Sequence, residues 1–195
     1  EIINMLEEYN LKIKDVKEKQ ILNQIINDFR ENNFSLLTSQ EMNYLLRNSK
    51  EKWAPYIIHR YKFHYYENNT EMPDFPLYLI LEPVSSCNLR CPFCMQSDEK
   101  FTSNKDMMGM MELELFKKII DEAYELGTKA ITLTGRGEPT LNPHIEEMLE
   151  YCSGKFIEIK MNTNATVLNE RMCHKILKSG LTDLVFSVDS YYKEE

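Results

Sequence analysis

The chain has 195 residues, and 43% of them are hydrophobic, which excludes a protein that is disordered along its whole length. A formal net charge of −8 argues against the phosphate backbone of a nucleic acid as the main partner. No apolar run approaches the ~20 residues that cross a bilayer, and an odd number of cysteines disfavours a disulfide scaffold. We therefore expect a cytoplasmic protein without a membrane partner.

Residues 1–75 are predicted to form a helical N-terminal extension. Before Met72 the sequence contains no glycine and a single proline. Helical spacing unites one group of apolar residues, Ile21, Leu22, Ile25, Ile26 and Phe29. The run Thr38-Ser-Gln-Glu41 predicts a capping box at the start of another helix, and Pro55 suits the first turn of a third helix, over residues 55–65. The aromatic residues of that helix fit a packed face better than a surface for stacking bases.

From residue 76 onward the sequence alternates between strand and helix patterns. Strands are predicted over residues 77–81, 130–134, 156–161 and 184–188, and helices over 113–126, 144–152 and 168–178. Glycines follow the three helices, where a left-handed residue closes the last turn. The last three strands recur about every 26 residues, which is the period of a βα unit, so we expect parallel strands.

Three cysteines, Cys87, Cys91 and Cys94, follow the first predicted strand. On a helix they would share one face as packed thiols, but Pro92 disfavours a helix at this point. Three thiolates can hold an iron–sulfur cluster and leave one iron open to a ligand that is not protein.

A structural zinc site is the alternative interpretation of these cysteines. Tetrahedral zinc requires a fourth cysteine or histidine. The nearest histidines in the sequence, His64 and His144, lie far from the usual finger spacing. Cys152 and Cys173 fall on predicted helices, where ordinary packing explains them better than ligation.

Glycines and polar residues follow the other three strands, in the segments 135–139, 162–164 and 187–190. The carboxyl ends of parallel strands meet at one edge of a sheet, so these segments should face one cavity. There Glu138 can hold an ammonium group, and Asn164 and Asp189 suit the hydroxyl groups of a ribose. A tight turn with a solvated acid, and Asx turns, explain the same residues when each segment is considered alone.

Together, the cysteine segment and the strand ends resemble the radical S-adenosylmethionine superfamily. A Cys-x3-Cys-x2-Cys loop after the first strand is the signature of that family, and this chain matches it fully. The aromatic residue that the family places beside the adenine is Phe93 here. The family's Gly-Gly-Glu-Pro motif ends its second strand and corresponds to residues 136–139, with Arg136 in place of the first glycine.

The resemblance assigns roles to individual residues of this chain. The metal ligands would be Cys87, Cys91 and Cys94 of a [4Fe-4S] cluster. The contacts to S-adenosylmethionine would be Phe93, Gly135, Gly137, Glu138, Pro139, Thr163, Asn164, Ser187 and Asp189. Within this set, Glu138 would hold the methionine amino group, and the residues after the third and fourth strands would contact the methionine carboxylate and the ribose.

The resemblance covers residues 76–195 and also implies a fold. Family members form a partial (β/α)6 barrel, related to the TIM barrel, and this chain would stop after the fourth strand. Residues 76–195 would then be the incomplete N-terminal part of the core domain, preceded by the helical extension.

The implied function is that of a radical enzyme. Such an enzyme cleaves S-adenosylmethionine to a 5′-deoxyadenosyl radical, which takes a hydrogen atom from a substrate, and a flavodoxin- or ferredoxin-like protein donates the electron. It would be classed as an oxidoreductase or a transferase, and the fragment itself would be inactive. The segment Met107–Met111 resembles family branches that modify peptides or proteins. Two alternatives stay open: a non-catalytic zinc or iron–sulfur module, and a binding protein that has lost turnover, for which Arg136 is the hint.

Overall fold

The computed structural model describes residues 2–69 and 71–188. Contacts between Cα atoms divide the chain into two compact units, Glu1–Leu77 and Tyr78–Glu195. No helix in the described part of the chain has the length and apolar character that crossing a membrane requires.

The described residues of the first unit include four α-helices, α1 (Ile2–Asn10), α2 (Val16–Arg30), α3 (Ser39–Arg47) and α4 (Trp53–Asn69), and a 3₁₀ turn over Lys50–Lys52. The predicted apolar face of α2 is fully buried, which confirms its helical spacing. The capping box at Thr38 is also confirmed, since its hydroxyl and the Glu41 side chain satisfy backbone donors of the first turn of α3. Helix α4 is longer than predicted at both ends, and Pro55 lies in its first turn.

The second unit alternates strands and helices, as the sequence predicts. Its strands are β1 (Tyr78–Leu81), β2 (Ala130–Leu133), β3 (Glu158–Thr163) and β4 (Asp183–Phe186). They form one parallel sheet in the order β1-β2-β3-β4. Its helices are α5 (Glu99–Thr102), α6 (Leu113–Glu125), α7 (Ile145–Cys152) and α8 (Glu170–Lys178).

Some element bounds differ from the sequence prediction for local reasons. Strand β3 begins two residues late, because the N–H groups of Ile157 and Glu158 both donate to the Lys129 carbonyl, at 2.8 and 3.3 Å. Regular pairing with β2 starts only at Glu158, opposite Ala130. Helix α5 was not predicted; it is four residues long, and the side chain of Asp98 caps it by accepting from the N–H of Lys100 at 2.8 Å.

The core of this unit lies between the sheet and α6, α7 and α8. Its fully buried side chains include Phe116 and Ile120 from α6, Ile131 and Leu133 from the sheet, and Met148 from α7. Glycines with positive φ end the three long helices, at Gly127, Gly154 and Gly180. The strands pair in a register that places Leu81, Leu133 and Met161 side by side, at the ends of β1 and β2 and two residues before the end of β3.

Candidate active site

Three loops leave the carboxyl ends of β1, β2 and β3. We call them the cysteine loop (residues 82–98), the glycine loop (residues 134–138) and the asparagine loop (residues 164–169). The ladder continues past the first two strands, because the N–H of Thr134 donates to the carbonyl of Leu81 at 3.0 Å. The N–H of Ser187 likewise donates to the carbonyl of Thr163 at 2.8 Å, so the segment after β4 starts beside the asparagine loop.

The cysteine loop holds its three thiols on an irregular segment rather than on a helix. A turn closes between Cys91 and Cys94, whose backbone hydrogen bond measures 2.9 Å, and all three cysteines are half-buried and free. The Sγ atom of Cys87 accepts from the N–H of Leu89 at 3.4 Å and from Nδ2 of Asn164 at 3.6 Å. The asparagine loop therefore contacts one of the proposed cluster ligands.

Three thiols on one loop are the donor set that iron–sulfur clusters use. Among residues 2–69 and 71–188, no three His, Cys, Asp or Glu side chains converge as the ligands of one metal ion must. In an iron–sulfur cluster each thiolate binds a different iron, so the sulfur atoms stand further apart than around one ion. His144, one of the histidines considered for zinc, is instead 3.3 Å from the Glu147 carboxylate.

Glu138 is the buried acid of the site, with 3% of its surface exposed. Its Oε1 accepts from the N–H and hydroxyl of Thr140, at 3.1 and 2.5 Å, and from the hydroxyl of Thr163 at 2.6 Å. Its Oε2 accepts from the N–H of Asn164 at 2.7 Å. All four donors are neutral, and no ion pair found among the described residues involves Glu138.

The glycine loop passes very close to the cysteine loop. A Cβ atom at Gly137 would lie 2.2 Å from the carbonyl oxygen of Val84 and 2.5 Å from that of Ser86. The next residue, Glu138, donates its N–H to the same Ser86 carbonyl at 2.9 Å. Only glycine fits at position 137, because the neighbouring atoms belong to the backbone.

Glu82 and Arg136 form an ion pair that the sequence analysis did not find. The Arg136 side chain donates to both carboxylate oxygens of Glu82, with Nη2–Oε1 at 2.6 Å and Nε–Oε2 at 3.0 Å. Burial raises the pKa of Glu82, but the hydrogen bonds and the charge of Arg136 outweigh it and hold that pKa below its ordinary value. The sequence did contain a signal for this ion pair: Glu82 comes directly after the first predicted strand, and Arg136 comes after the neighbouring strand.

Two buried amides were also missed. Gln96 donates through Nε2 to the carbonyls of Ser85 at 2.6 Å and Arg136 at 2.8 Å. Asn142 donates through Nδ2 to the carbonyls of Pro83 at 2.8 Å and Met111 at 3.1 Å. Nothing in the sequence marks either amide as buried, because their partners are backbone carbonyls distant along the chain.

The asparagine loop is shaped by its own side chains. Asn164 donates to Oδ1 of Asn88 at 3.0 Å and accepts from the N–H and hydroxyl of Thr166 at 3.0 and 2.7 Å. Ala165 between them has a φ of +61°, a left-handed conformation that is uncommon for a residue with a Cβ atom. The Asx turn that the sequence analysis gives as the alternative explanation is therefore present, and the same asparagine also reaches the cysteine loop.

The remaining predicted residues differ in their placement. Pro139 is buried and opens a 3₁₀ turn over Pro139–Leu141. Phe93 is 75% exposed on the cysteine loop, and Ser187 is exposed after β4. Asp189 lies outside the described residues. The structure thus brings Cys87, Glu138, Thr163 and Asn164 together, and within the described part of the chain Ser187 joins them through its backbone N–H.

The two cysteines assigned to packing lie on helices, as predicted. Cys152 is fully buried in α7, and burial raises the pKa of its thiol to about 12. Cys173 lies on α8. A thiol as buried as that of Cys152 stays protonated, so it is inert at neutral pH.

Comparison with known proteins identifies the family. A model of the Radical SAM superfamily matches residues 81–194. The chain is 34% identical over 113 residues to the tungsten-containing aldehyde ferredoxin oxidoreductase cofactor-modifying protein of Pyrococcus furiosus, covering 57% of this chain and 30% of that one. It is 28% identical over 116 residues to mycofactocin maturase MftC of Mycobacterium ulcerans, covering 60% of this chain and 30% of the relative. The chain thus spans about a third of these relatives.

A solved structure shares the fold. Streptococcus suis SuiB, crystallised with its precursor peptide SuiA, superposes with a TM-score of 0.50 at 21% identity, covering 89% of this chain and 41% of SuiB. Together with the parallel sheet and the helical N-terminus, this likeness confirms the predicted fold class, a partial α/β barrel preceded by helices.

Proposed function

This chain belongs to the radical SAM superfamily, and from that premise we propose that it is part of an enzyme that cleaves S-adenosylmethionine and removes a hydrogen atom from a substrate. Cys87, Cys91 and Cys94 would hold a [4Fe-4S] cluster. When bound, the cluster and S-adenosylmethionine supply the reductive cleavage and the radical that attacks the substrate. The protein contributes binding, orientation and exclusion of water.

The observation that carries the proposal is the buried carboxylate of Glu138. Burying a charged group is costly unless it is paired, yet all the donors to this one are neutral. Its Oε2 accepts one hydrogen bond, and a carboxylate oxygen can accept two. The ammonium group of a bound methionine moiety would supply both the second donor and the positive charge.

The neighbouring loops would orient the rest of S-adenosylmethionine. Gly137 lets the backbone approach closely, and Asn164 joins the carboxylate of Glu138 to the thiol of Cys87 through its N–H and Nδ2. An ammonium on Glu138 would therefore lie near the cysteine loop, on the same edge of the sheet. Phe93, Ser187 and Asp189 would contact the adenine and the ribose, as the family resemblance implies.

A peptide or protein is our proposed substrate class. The relatives include a maturase, and SuiB binds a precursor peptide. Beside the cysteine loop lies an open cavity of about 280 Å³, lined by Met107–Met111, Leu115, Arg136 and others. Methionines adapt to varied apolar side chains, which suits a surface that receives a peptide. A flavodoxin- or ferredoxin-like protein would donate the electron.

The test uses the complete protein, purified without oxygen. We expect iron and sulfide in a 1:1 ratio, binding of S-adenosylmethionine, and formation of 5′-deoxyadenosine when the cluster is reduced. One equivalent of zinc without iron or sulfide would instead establish the non-catalytic metal module. A loaded cluster with binding but no cleavage, even with peptide substrates present, would establish a binding protein that has lost turnover.

A further inference from the structure

We propose that Glu82, Arg136 and Gln96 form a clasp that positions the glycine loop, and that Arg136 is thereby a positioning residue for the methionine end of S-adenosylmethionine. The inference rests on the proposed function and deepens it. It also gives the arginine that departs from the family motif a defined role in this chain.

The first half of the clasp is the ion pair. Besides the two side-chain contacts, the backbone N–H of Arg136 donates to Oε2 of Glu82 at 2.6 Å. One carboxylate thus holds both the backbone and the guanidinium of the same residue. A bidentate arginine–carboxylate pair fixes orientation as well as distance, so the backbone at position 136 is constrained relative to the end of β1.

The second half of the clasp is Gln96, which lies two residues after Cys94. Its side chain is 1% exposed, and its Nε2 holds the carbonyl of Arg136 while also holding that of Ser85. Its Oε1 is buried without a hydrogen-bond partner among the described residues. Burying an oxygen without a hydrogen-bond partner lowers stability. The two hydrogen bonds that Nε2 donates to the carbonyls are the compensating contacts of this buried amide.

Position 136 is therefore held on both sides of its backbone. The Glu82 carboxylate accepts from the N–H of Arg136, and the Gln96 side chain donates to its carbonyl. Both partners belong to the cysteine loop. Glu138, the acid that would bind the ammonium, follows two residues later, after the sterically locked Gly137. Because a single residue separates position 136 from Glu138, we expect a shift at position 136 to strain the placement of that carboxylate relative to the three cysteines.

The clasp would act through the loop rather than by touching S-adenosylmethionine. The side chains of Arg136 and Glu82 are 40% and 24% exposed and line the methionine-rich cavity. The guanidinium also lies 5.7 Å from the centre of the Phe101 ring. The guanidinium of Arg136 and the carboxylate of Glu82 thus contact other protein groups. Glu138 is the acid that would bind the ammonium group.

The experiment compares Arg136→Ala, Glu82→Gln and their double variant in the complete, cluster-loaded protein. Arg171→Ala is the matched control, because Arg171 also pairs with a glutamate, Glu146 at 3.0 Å, but on helices α8 and α7. Dissociation constants for S-adenosylmethionine are measured by calorimetry, KM and kcat by 5′-deoxyadenosine formation, and cluster content by iron and sulfide analysis.

We expect each clasp variant to raise the dissociation constant and KM for S-adenosylmethionine about tenfold, as loss of a charge-assisted contact does, while kcat and iron content stay within about twofold. The double variant should bind S-adenosylmethionine no more weakly than either single variant, because the ion pair acts as a unit. Arg136→Lys, which keeps the charge but not the fork, should fall between wild type and Arg136→Ala. The control should bind as wild type does.

Two results would overturn the clasp. One is unchanged binding in both single variants. The other is a loss of iron that parallels the loss of binding, which would show that these residues only support the cluster. A wild-type protein that loads a cluster and binds no S-adenosylmethionine would overturn the proposed function itself, and it is recognised without any variant.

Discussion

Two buried glutamates, one in each unit, show how the partners of a side chain separate a structural role from a candidate functional one. Glu41 of the helical unit and Glu138 of the sheet unit are 1% and 3% exposed. Glu41 caps its own helix through the backbone of Thr38 at 2.9 Å and pairs with Nε of Arg60 at 2.7 Å. Glu138 is held by Thr140, Thr163 and Asn164, all neutral donors.

The difference lies in where the balancing positive charge comes from. Glu41 has its cation, Arg60, within the same unit, so its buried charge is already paired. Glu138 is fixed by four hydrogen bonds from neutral donors, and in the proposed function the ammonium group of S-adenosylmethionine would pair with it. That combination is what a preorganised site for an ammonium group requires.

The comparison predicts opposite outcomes for two matched substitutions, and this is the largest effect we expect. Glu138→Gln should raise the dissociation constant for S-adenosylmethionine at least about 30-fold, since removing one partner of a buried charge pair costs about 2 kcal/mol or more. Glu41→Gln should lower the free energy of unfolding by about 1–3 kcal/mol, because Arg60 loses its charged partner, whereas the glutamine oxygen can still accept the capping bond. Calorimetric titration and chemical denaturation of the complete protein measure the two quantities.

Each variant serves as the control of the other. Glu41→Gln should bind S-adenosylmethionine as wild type does. If Glu138→Gln instead destabilised the protein and left binding unchanged, the two glutamates would have the same structural role and the comparison would fail.

The glycine loop provides the next largest effect. Gly137→Ala places a Cβ atom against the carbonyls of Val84 and Ser86, which are backbone and cannot yield, so we expect Glu138 to be displaced. Gly135→Ala places its Cβ atom 2.4 Å from Oε2 of Glu82, a flexible side chain that can move at the cost of the clasp. Binding of S-adenosylmethionine should therefore weaken more for Gly137→Ala than for Gly135→Ala.

Binding measurements on both variants, with iron analysis as a check on the cluster, test this order. Equal losses would mean that Gly135 is as constrained as Gly137. A reversed order would show that the Glu82 side chain matters more to the loop than the backbone contact does.

The sequence predicts the fold of this chain better than it predicts the site. Periodicity, together with Gly127, Gly154 and Gly180, reveals the βα units, because each of these signals acts over a few neighbouring residues. The position of Glu138 after β2 follows from the parallel topology. The burial of Gln96 does not, because its partners, the carbonyls of Ser85 and Arg136, come together only once the loops pack.

The same reasoning explains which site residues the sequence assigned incompletely. Asn164 was assigned to a ribose, and the structure adds contacts to Cys87 and Asn88 that no local pattern encodes. Arg136 departs from the family motif in sequence, and its ion pair with Glu82 is visible only in the structure. The roles of these two residues depend on hydrogen bonds between loops that are distant in sequence, and such contacts leave no periodic pattern in the chain.

The smallest effect we predict concerns pH and sharpens the role of Glu41. Burial raises the pKa of this carboxyl, but the hydrogen bonds of Thr38 and the charge of Arg60 outweigh burial and lower the pKa below its ordinary value of 4.5. A lowered pKa in the folded state means that the stabilisation is complete above pH 4.5 and is lost as the pH falls through the lower value. The protection factors of the α3 and α4 amides, which correct hydrogen exchange for its intrinsic pH dependence, should therefore fall on acidification more in the wild type than in Glu41→Gln, which has no proton to take up. If both proteins responded equally to acid, another group would control that transition, and the contribution assigned to Glu41 would be wrong.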